Sequence, residues 1–184
     1  NQFDNTANSL SHYESTGPEI WSQTDGGVEV FTCAVGTGGT LAGTSAYLKE
    51  KNPNIKIVLA DPMGSALYNW VTTGEAVMTP GPSMTEGIGN SRVTQNLATA
   101  TVDDAVQVDD QEMVDMVYRL LHQEGWFFGS SSGINLGAAV KIAKELGPGH
   151  TIVTILCDDG GKYQSRLYNP AFLAERDLTI PSFT

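Results

Sequence analysis

Residues Val28 to Gly43 constrain this chain more than any other stretch. An apolar run from Val28 to Val35 passes straight into Gly36-Thr-Gly-Gly-Thr40, and the residues after it pattern as a helix. A strand that ends in a glycine turn and restarts as a helix is the building unit of an α/β fold. Glycines 36, 38 and 39 carry no Cβ, so the backbone can take positive φ and its N–H groups can meet a ligand closely. The first N–H groups of the following helix are unpaired and sit at the positive end of its dipole. Thr37 and Thr40 add hydroxyl donors. The combination reads as a cradle for a phosphate, though a glycine cluster of this kind can also serve backbone geometry alone. It is not a nucleotide loop: no Gly-Lys-Ser/Thr follows, and Leu41 stands where the dinucleotide fingerprint needs its third glycine.

The rest of the chain repeats the alternation. Strands are predicted over 28–33, 55–60, 102–108 and 151–157, the last being the clearest. Helices are predicted over 39–51, 66–72, 109 or 110 to 122 (capped by Asp109 or Asp110), and 133–146. This predicts an open, largely parallel sheet with helices on both faces, built as one α/β domain over residues 1–184. A glycine- and proline-rich stretch from Gly74 to Asn90 is long for a loop in a compact domain, which marks it as functional or mobile. Asp158-Asp-Gly-Gly161 follows the last strand, at the sheet edge where open α/β folds bind ligands.

Ten Lys and Arg face 21 Asp and Glu, a net charge of −11, which excludes phosphate-backbone binding and hence a nucleic-acid partner. No apolar run of membrane-spanning length and no leader pattern occur, so the expectation is a cytoplasmic protein with no membrane partner. Cys33 and Cys157 make no disulfide framework and read as small buried hydrophobes at the ends of core strands. His12, His122 and His150 offer neither a triad nor metal spacing, and read as surface or helix-end histidines. No metal site is expected. The first methionine is Met63, so the opening residues read as the interior of a longer protein.

Five motifs occur in order: Asn1-Gln-Phe-Asp-Asn-Thr-Ala-Asn8, Thr16-Gly-Pro-Glu-Ile-Trp21, Gly36-Thr-Gly-Gly-Thr40, Glu86-Gly-Ile-Gly89 and Glu124-Gly-Trp-Phe-Phe-Gly-Ser-Ser-Ser-Gly133. Together they resemble the C-terminal half of the cysteine synthase (O-acetylserine sulfhydrylase) and cystathionine β-synthase family, the fold-type II enzymes dependent on pyridoxal 5'-phosphate. The resemblance covers residues 1 to about 170. It implies that Gly36, Thr37, Gly38, Gly39 and Thr40 hold the cofactor phosphate and that Ser131 bonds the pyridine nitrogen. A neutral hydroxyl there leaves the ring a weaker electron sink than a carboxylate would, which suits β-replacement over transamination. A serine N-cap is the plain alternative for this run. The resemblance also makes Glu86, Gly87, Ile88 and Gly89 a mobile substrate loop. Asn90-Ser-Arg-Val-Thr94 departs from the more apolar continuation common in cysteine synthases, and Arg92 offers either a carboxylate partner or a surface ion pair. Asp158-Asp-Gly-Gly-Lys-Tyr163 matches the family well only at Tyr163. Asp159 is a candidate for the ring edge or, equally, a loop cap.

The family's Schiff-base lysine and its substrate-carboxylate loop lie in the N-terminal half, and none of the lysines at 49, 51, 56, 141, 144 and 162 matches it. The resemblance therefore implies the cofactor-anchoring half of a PLP-dependent transferase or lyase, inactive on its own, whose N-terminal half is absent here. The whole would make L-cysteine from O-acetylserine and sulfide, working as a homodimer. Cystathionine β-synthase, cysteine desulfhydrase and serine dehydratase activities share the scaffold, and a non-catalytic phosphate-ligand-binding domain is the reading from another class.

Overall fold

The computed structural model describes residues 1–183. Helices α1 (Ala7–Glu14) and α2 (Thr16–Gln23) come first, followed by β1 (Val30–Ala34), α3 (Gly39–Lys51), β2 (Lys56–Pro62) and α4 (Leu67–Thr73). A long irregular stretch then leads to α5 (Gln95–Ala98), β3 (Asp104–Val108), α6 (Asp110–Glu124), α7 (Ser130–Leu146) and β4 (Ile152–Thr154). A 3-10 turn at Gly160–Tyr163 and α8 (Pro170–Ala174) complete the chain. The four strands pair only in parallel, in the order β3-β2-β1-β4. Parallel strands need crossovers, which here are α3, α4 with α5, and α6 with α7.

Alternation along the strands feeds two cores. Phe31, Cys33, Ile57 and Leu59 pack with Leu41 and Leu48 of α3 and Leu67 of α4. On the opposite face Val30 and Val58 meet Ile142 of α7, and Ala60 and Val108 meet Ile134 and Ala138 with Met113 and Val117 of α6. Helices thus cover both faces, as the alternation predicted. Asp109 caps α6 in a capping box: its carboxylate accepts from the Glu112 N–H at 2.8 Å while Glu112 returns a bond to the Asp109 N–H at 3.0 Å. Asp110 instead fastens the long loop, accepting from the Ser83 hydroxyl at 2.8 Å and the Met84 N–H at 2.7 Å.

The sequence reading needs four corrections. The strand expected over 151–157 pairs only over Ile152–Thr154, because β4 leaves β1 after Thr154. Helix α7 begins at Ser130, so all three serines lie within its first turn and Gly129 is the N-cap, which rules out a serine cap. Cys33 is buried as expected, but Cys157 lies beyond the ladder and is exposed. Helices α1 and α2, like the short α5 and α8, had no sequence expectation. They dock through close approaches to α3, where a Cβ on Gly43 would fall 2.7 Å from the Tyr13 nitrogen.

Asp61, at the end of β2, is fully buried. One carboxylate oxygen accepts from the Tyr68 N–H at 2.8 Å and the other has no hydrogen-bond partner among the described residues. Burial pushes its pKa up to about 6, against the lowering effect of hydrogen bonds from Ser65 and Tyr68. The folded state therefore keeps this proton over a range where the unfolded chain has lost it. Stability falls as pH rises from about 4 to about 6, by on the order of 3 kcal/mol. Asp61→Asn in the intact protein should match the wild type in urea unfolding near pH 4 and exceed it at pH 7. A difference that does not change with pH would contradict this.

Candidate functional site

In the strand order, β1 leads to β2 and β3 on one side and has β4 on the other, so the topological switch lies between β1 and β4. Open α/β sheets bind ligands at that crevice, outside the carboxyl ends of the strands. Gly36–Thr40 leaves the end of β1, Cys157–Asp159 follows β4, and the start of α7 is bonded to the latter through the Ser132 hydroxyl and the Gly129 N–H. Asn135 on that helix bonds Ala34 on one side and Ile155 on the other.

Gly38 is the N-cap of α3, with φ of 90°. This left-handed conformation costs any other L-residue about 1–2 kcal/mol. A Cβ there would also fall 2.7 Å from the Leu97 nitrogen and 2.8 Å from its Cβ. The N–H groups of Gly38, Thr40 and Leu41 find no acceptor among the described residues, and that of Gly39 has only the Thr37 hydroxyl at 3.3 Å. The Thr37 hydroxyl also accepts from Asn8 Nδ2 at 2.9 Å, so its own proton is left for another acceptor. The Thr40 hydroxyl lies 3.2 Å from His12 Nε2, and His12 Nδ1 lies 2.8 Å from the Thr16 hydroxyl. Burial lowers the His12 pKa and keeps the ring neutral near pH 7.

A strap of residues 87–97 clamps this loop. The Gly89 N–H donates to the Val35 carbonyl at 2.9 Å, Asn90 Nδ2 to the Gly36 carbonyl at 2.5 Å, and the Thr94 hydroxyl to the Thr37 carbonyl at 2.7 Å. The Gly87 carbonyl lies where a Cβ on Gly36 would stand. Glu86 pairs with Arg166 at the outer end of this strap, and Ile88 and Gly89 overhang a cavity of about 380 Å³ with Pro62, Met63 and Met78. Arg92 takes the surface role: it holds Asp4 through two bonds of 3.1 and 3.0 Å. Asn96 accepts from the Ser9 N–H and donates to the Gln2 and Phe3 carbonyls. The opening motif Asn1–Asn8 is therefore the buttress of the glycine loop.

Across the crevice Ser131 is 7% exposed, beside the Cys157 thiol. Although Cys157 as a residue is exposed, its thiol is partly desolvated by the surrounding protein, which raises its pKa against hydrogen bonds from Ser131 and Asn135, so the thiol is protonated near neutral pH. The Ser132 hydroxyl accepts from the Cys157 N–H at 2.9 Å. The Ser130 hydroxyl is buried and has no partner among the described residues, as is true of one oxygen of Asp158. The other oxygen of Asp158 accepts from the Tyr163 hydroxyl at 3.0 Å and pairs with Lys162. Asp159 is exposed and caps the 3-10 turn, accepting from the Gly161 N–H at 2.7 Å. The fold thus brings the glycine loop, the Glu86–Gly89 loop and Ser131 to the carboxyl ends of the strands, and it occupies the Asp159 carboxylate in a cap.

Sequence reasoning missed Asn8, His12, Thr94, Asn96 and Asn135. Among the described residues no three His, Cys, Asp or Glu side chains are placed to hold a metal.

Comparison with known proteins places the chain in a family. Residues 1–158 match the family described as pyridoxal-phosphate dependent enzyme, and the chain belongs to that family. It is 47% identical over 182 residues to cysteine synthase 1 of Neurospora crassa, covering 97% of this chain and 48% of that protein. It is 38% identical over 165 residues to the O-acetylserine dependent cystathionine beta-synthase of Bacillus subtilis, covering 90% of this chain and 51% of that protein. The crystal structure of the O-acetylserine dependent cystathionine beta-synthase from Helicobacter pylori superposes with a TM-score of 0.79 at 33% identity, over 90% of this chain and 51% of that one. The chain therefore spans about half the length of the relatives it matches.

The residues fit a phosphorylated pyridine. Among the described residues, unpaired N–H groups and a free hydroxyl proton stand at the α3 N-terminus without a carboxylate among their bonded neighbours, and the buried Ser131 lies in the first turn of α7. Gly38→Val should therefore strongly weaken pyridoxal phosphate binding by the intact protein, and Gly38→Ala should lower its melting temperature, consistent with the 1–2 kcal/mol of left-handed strain. Fluorescence titration and thermal unfolding read the two effects. Wild-type affinity in Gly38→Val would contradict the cradle.

Proposed function

We propose that this chain is the cofactor-anchoring half of a cysteine synthase, making L-cysteine from O-acetylserine and sulfide. The observation that carries the reading is the glycine loop at the β1–β4 switch point, in a chain 45–47% identical to four cysteine synthases. Gly36–Thr40 bind the phosphate through backbone N–H groups and the Thr37 hydroxyl. Ser131 orients the pyridine nitrogen, and Asp159 stands at the outer rim of the ring. Pyridoxal phosphate, when bound, supplies an electron sink that lets a leaving group depart from the β-carbon of an amino acid. Ser131 moderates that sink because a hydroxyl does not hold the ring nitrogen protonated as a carboxylate would. Glu86–Gly89 close over the amino-acid substrate and exclude water. Residues outside this chain supply the base, so residues 1–184 alone make no cysteine. The intact protein works as a homodimer in the cytoplasm, a reducing compartment that suits the free thiols of Cys33 and Cys157.

A second reading, cystathionine formation from O-acetylserine and homocysteine, draws on the relatives of that name. Amino-acid analysis of the intact protein with O-acetylserine and either sulfide or homocysteine separates the two. Cysteine with sulfide supports the first, cystathionine as the faster product supports the second, and neither product contradicts both. Ser131→Ala should retain cofactor and turn over about tenfold more slowly, consistent with loss of one polar contact of about 1 kcal/mol or somewhat more. Unchanged turnover and unchanged cofactor spectra would exclude the ring contact.

A further inference from the structure

Asn135 occupies a position that helix propensity and burial both disfavour. It lies inside α7, where asparagine is a poor helix former, and it is 1% exposed. Both ends of its amide are used. Oδ1 accepts from the Ala34 N–H at 2.7 Å, and Nδ2 donates to the Ile155 carbonyl at 2.7 Å, with the Cys157 sulfur 3.6 Å away. The β1–β4 ladder ends at the Thr32–Thr154 pair, just before these groups. The amide therefore takes the place of ladder hydrogen bonds, accepting on the β1 side and donating on the β4 side. It holds the two strands apart by the width of one side chain. One turn earlier, Ser132 accepts from the Cys157 N–H, so the start of α7 is tied to both walls of the crevice.

We propose that Asn135 is a positioning residue. It sets the width of the β1–β4 crevice and thereby the place of the Ser131 hydroxyl relative to the glycine loop. The proposal rests on reading that crevice as the cofactor site. Leucine at 135 would match the volume and offer neither bond, leaving the Ala34 N–H and the Ile155 carbonyl buried and unpaired. Aspartate would keep the acceptor, and when ionised it would oppose the Ile155 carbonyl. Protonated, it would reproduce the amide, with one oxygen accepting and an O–H donating.

The test uses the intact protein loaded with pyridoxal phosphate. Apparent affinity, the absorption spectrum and the phosphorus NMR shift of the bound cofactor are measured for Asn135→Leu, Asn135→Asp, Ser131→Ala and the Asn135→Leu/Ser131→Ala pair, alongside thermal unfolding. Asn135→Leu should bind cofactor about tenfold more weakly with an altered spectrum, and adding Ser131→Ala should change little more. Asn135→Asp should recover toward wild type as pH falls, measured as the ratio of the two affinities. If Asn135→Leu does not fold, that pH-dependent recovery decides the question. A lower melting temperature with unchanged affinity and spectrum would overturn the proposal, as would effects that simply add to those of Ser131→Ala. A silent Ser131→Ala marks failure of the ring contact instead. An active Ser131→Ala beside a silent Asn135→Leu marks failure of this proposal alone.

Discussion

Beyond the Thr32–Thr154 pair, β1 and β4 cease to bond and the sheet opens. Every candidate group depends on this parting. Parallel strands place all their carboxyl ends on one edge, so the loops that leave β1 and β4 emerge side by side with room between them. The chain pays for the opening with side chains: the Asn135 amide and the Ser132 hydroxyl satisfy backbone groups that a continued ladder would have paired. Buried N–H and C=O groups left without partners would cost more than the ladder bonds they replace.

The phosphate cradle is held by two segments far away in sequence. Residues 87–97 bond the carbonyls of Val35, Gly36 and Thr37, while Asn8 bonds the Thr37 hydroxyl. The loop therefore presents its N–H groups outward because its carbonyls are occupied behind it. Asn96 fastens the N-terminal segment to the same strap, and Arg92 with Asp4 adds an exposed ion pair that surface screening makes weak. The substrate loop of the proposed enzyme is continuous with this strap, so motion at Glu86–Gly89 bears directly on the backbone at Gly36.

Much of this was legible in the sequence, for stated physical reasons. The helix at Gly39–Lys51 was predicted to the residue because glycines open it and Asn52-Pro53 closes it. The cap of α6 was legible only as Asp109 or Asp110, and the capping box with Glu112 decides for Asp109. The long irregular stretch from Gly74 to Asn90 stayed irregular, as its glycines and prolines required. Beyond Thr154 the apolar run misled, since Ile155 and Leu156 carry strand propensity without a strand beside them: the Asn135 amide fills that place. The three serines were open to a capping reading because a cap and a first-turn residue share one composition. Helices α1 and α2 are only eight residues each and dock in part through glycine close approaches, which periodicity does not register. The amides at 8, 96 and 135 were invisible because each bonds a group, the Thr37 hydroxyl or the backbone of Ser9, Ala34 and Ile155, that only the fold brings near.

A crystal structure of the intact protein with pyridoxal phosphate bound tests the central claim most directly, that one ligand spans the opening between β1 and β4. The account predicts the phosphate against the N–H groups of Gly38–Leu41 and the Thr37 hydroxyl, with the pyridine nitrogen within hydrogen-bond distance of Ser131 Oγ. A phosphate bound elsewhere, for instance at the start of α7, or a ring turned away from Ser131, would contradict it.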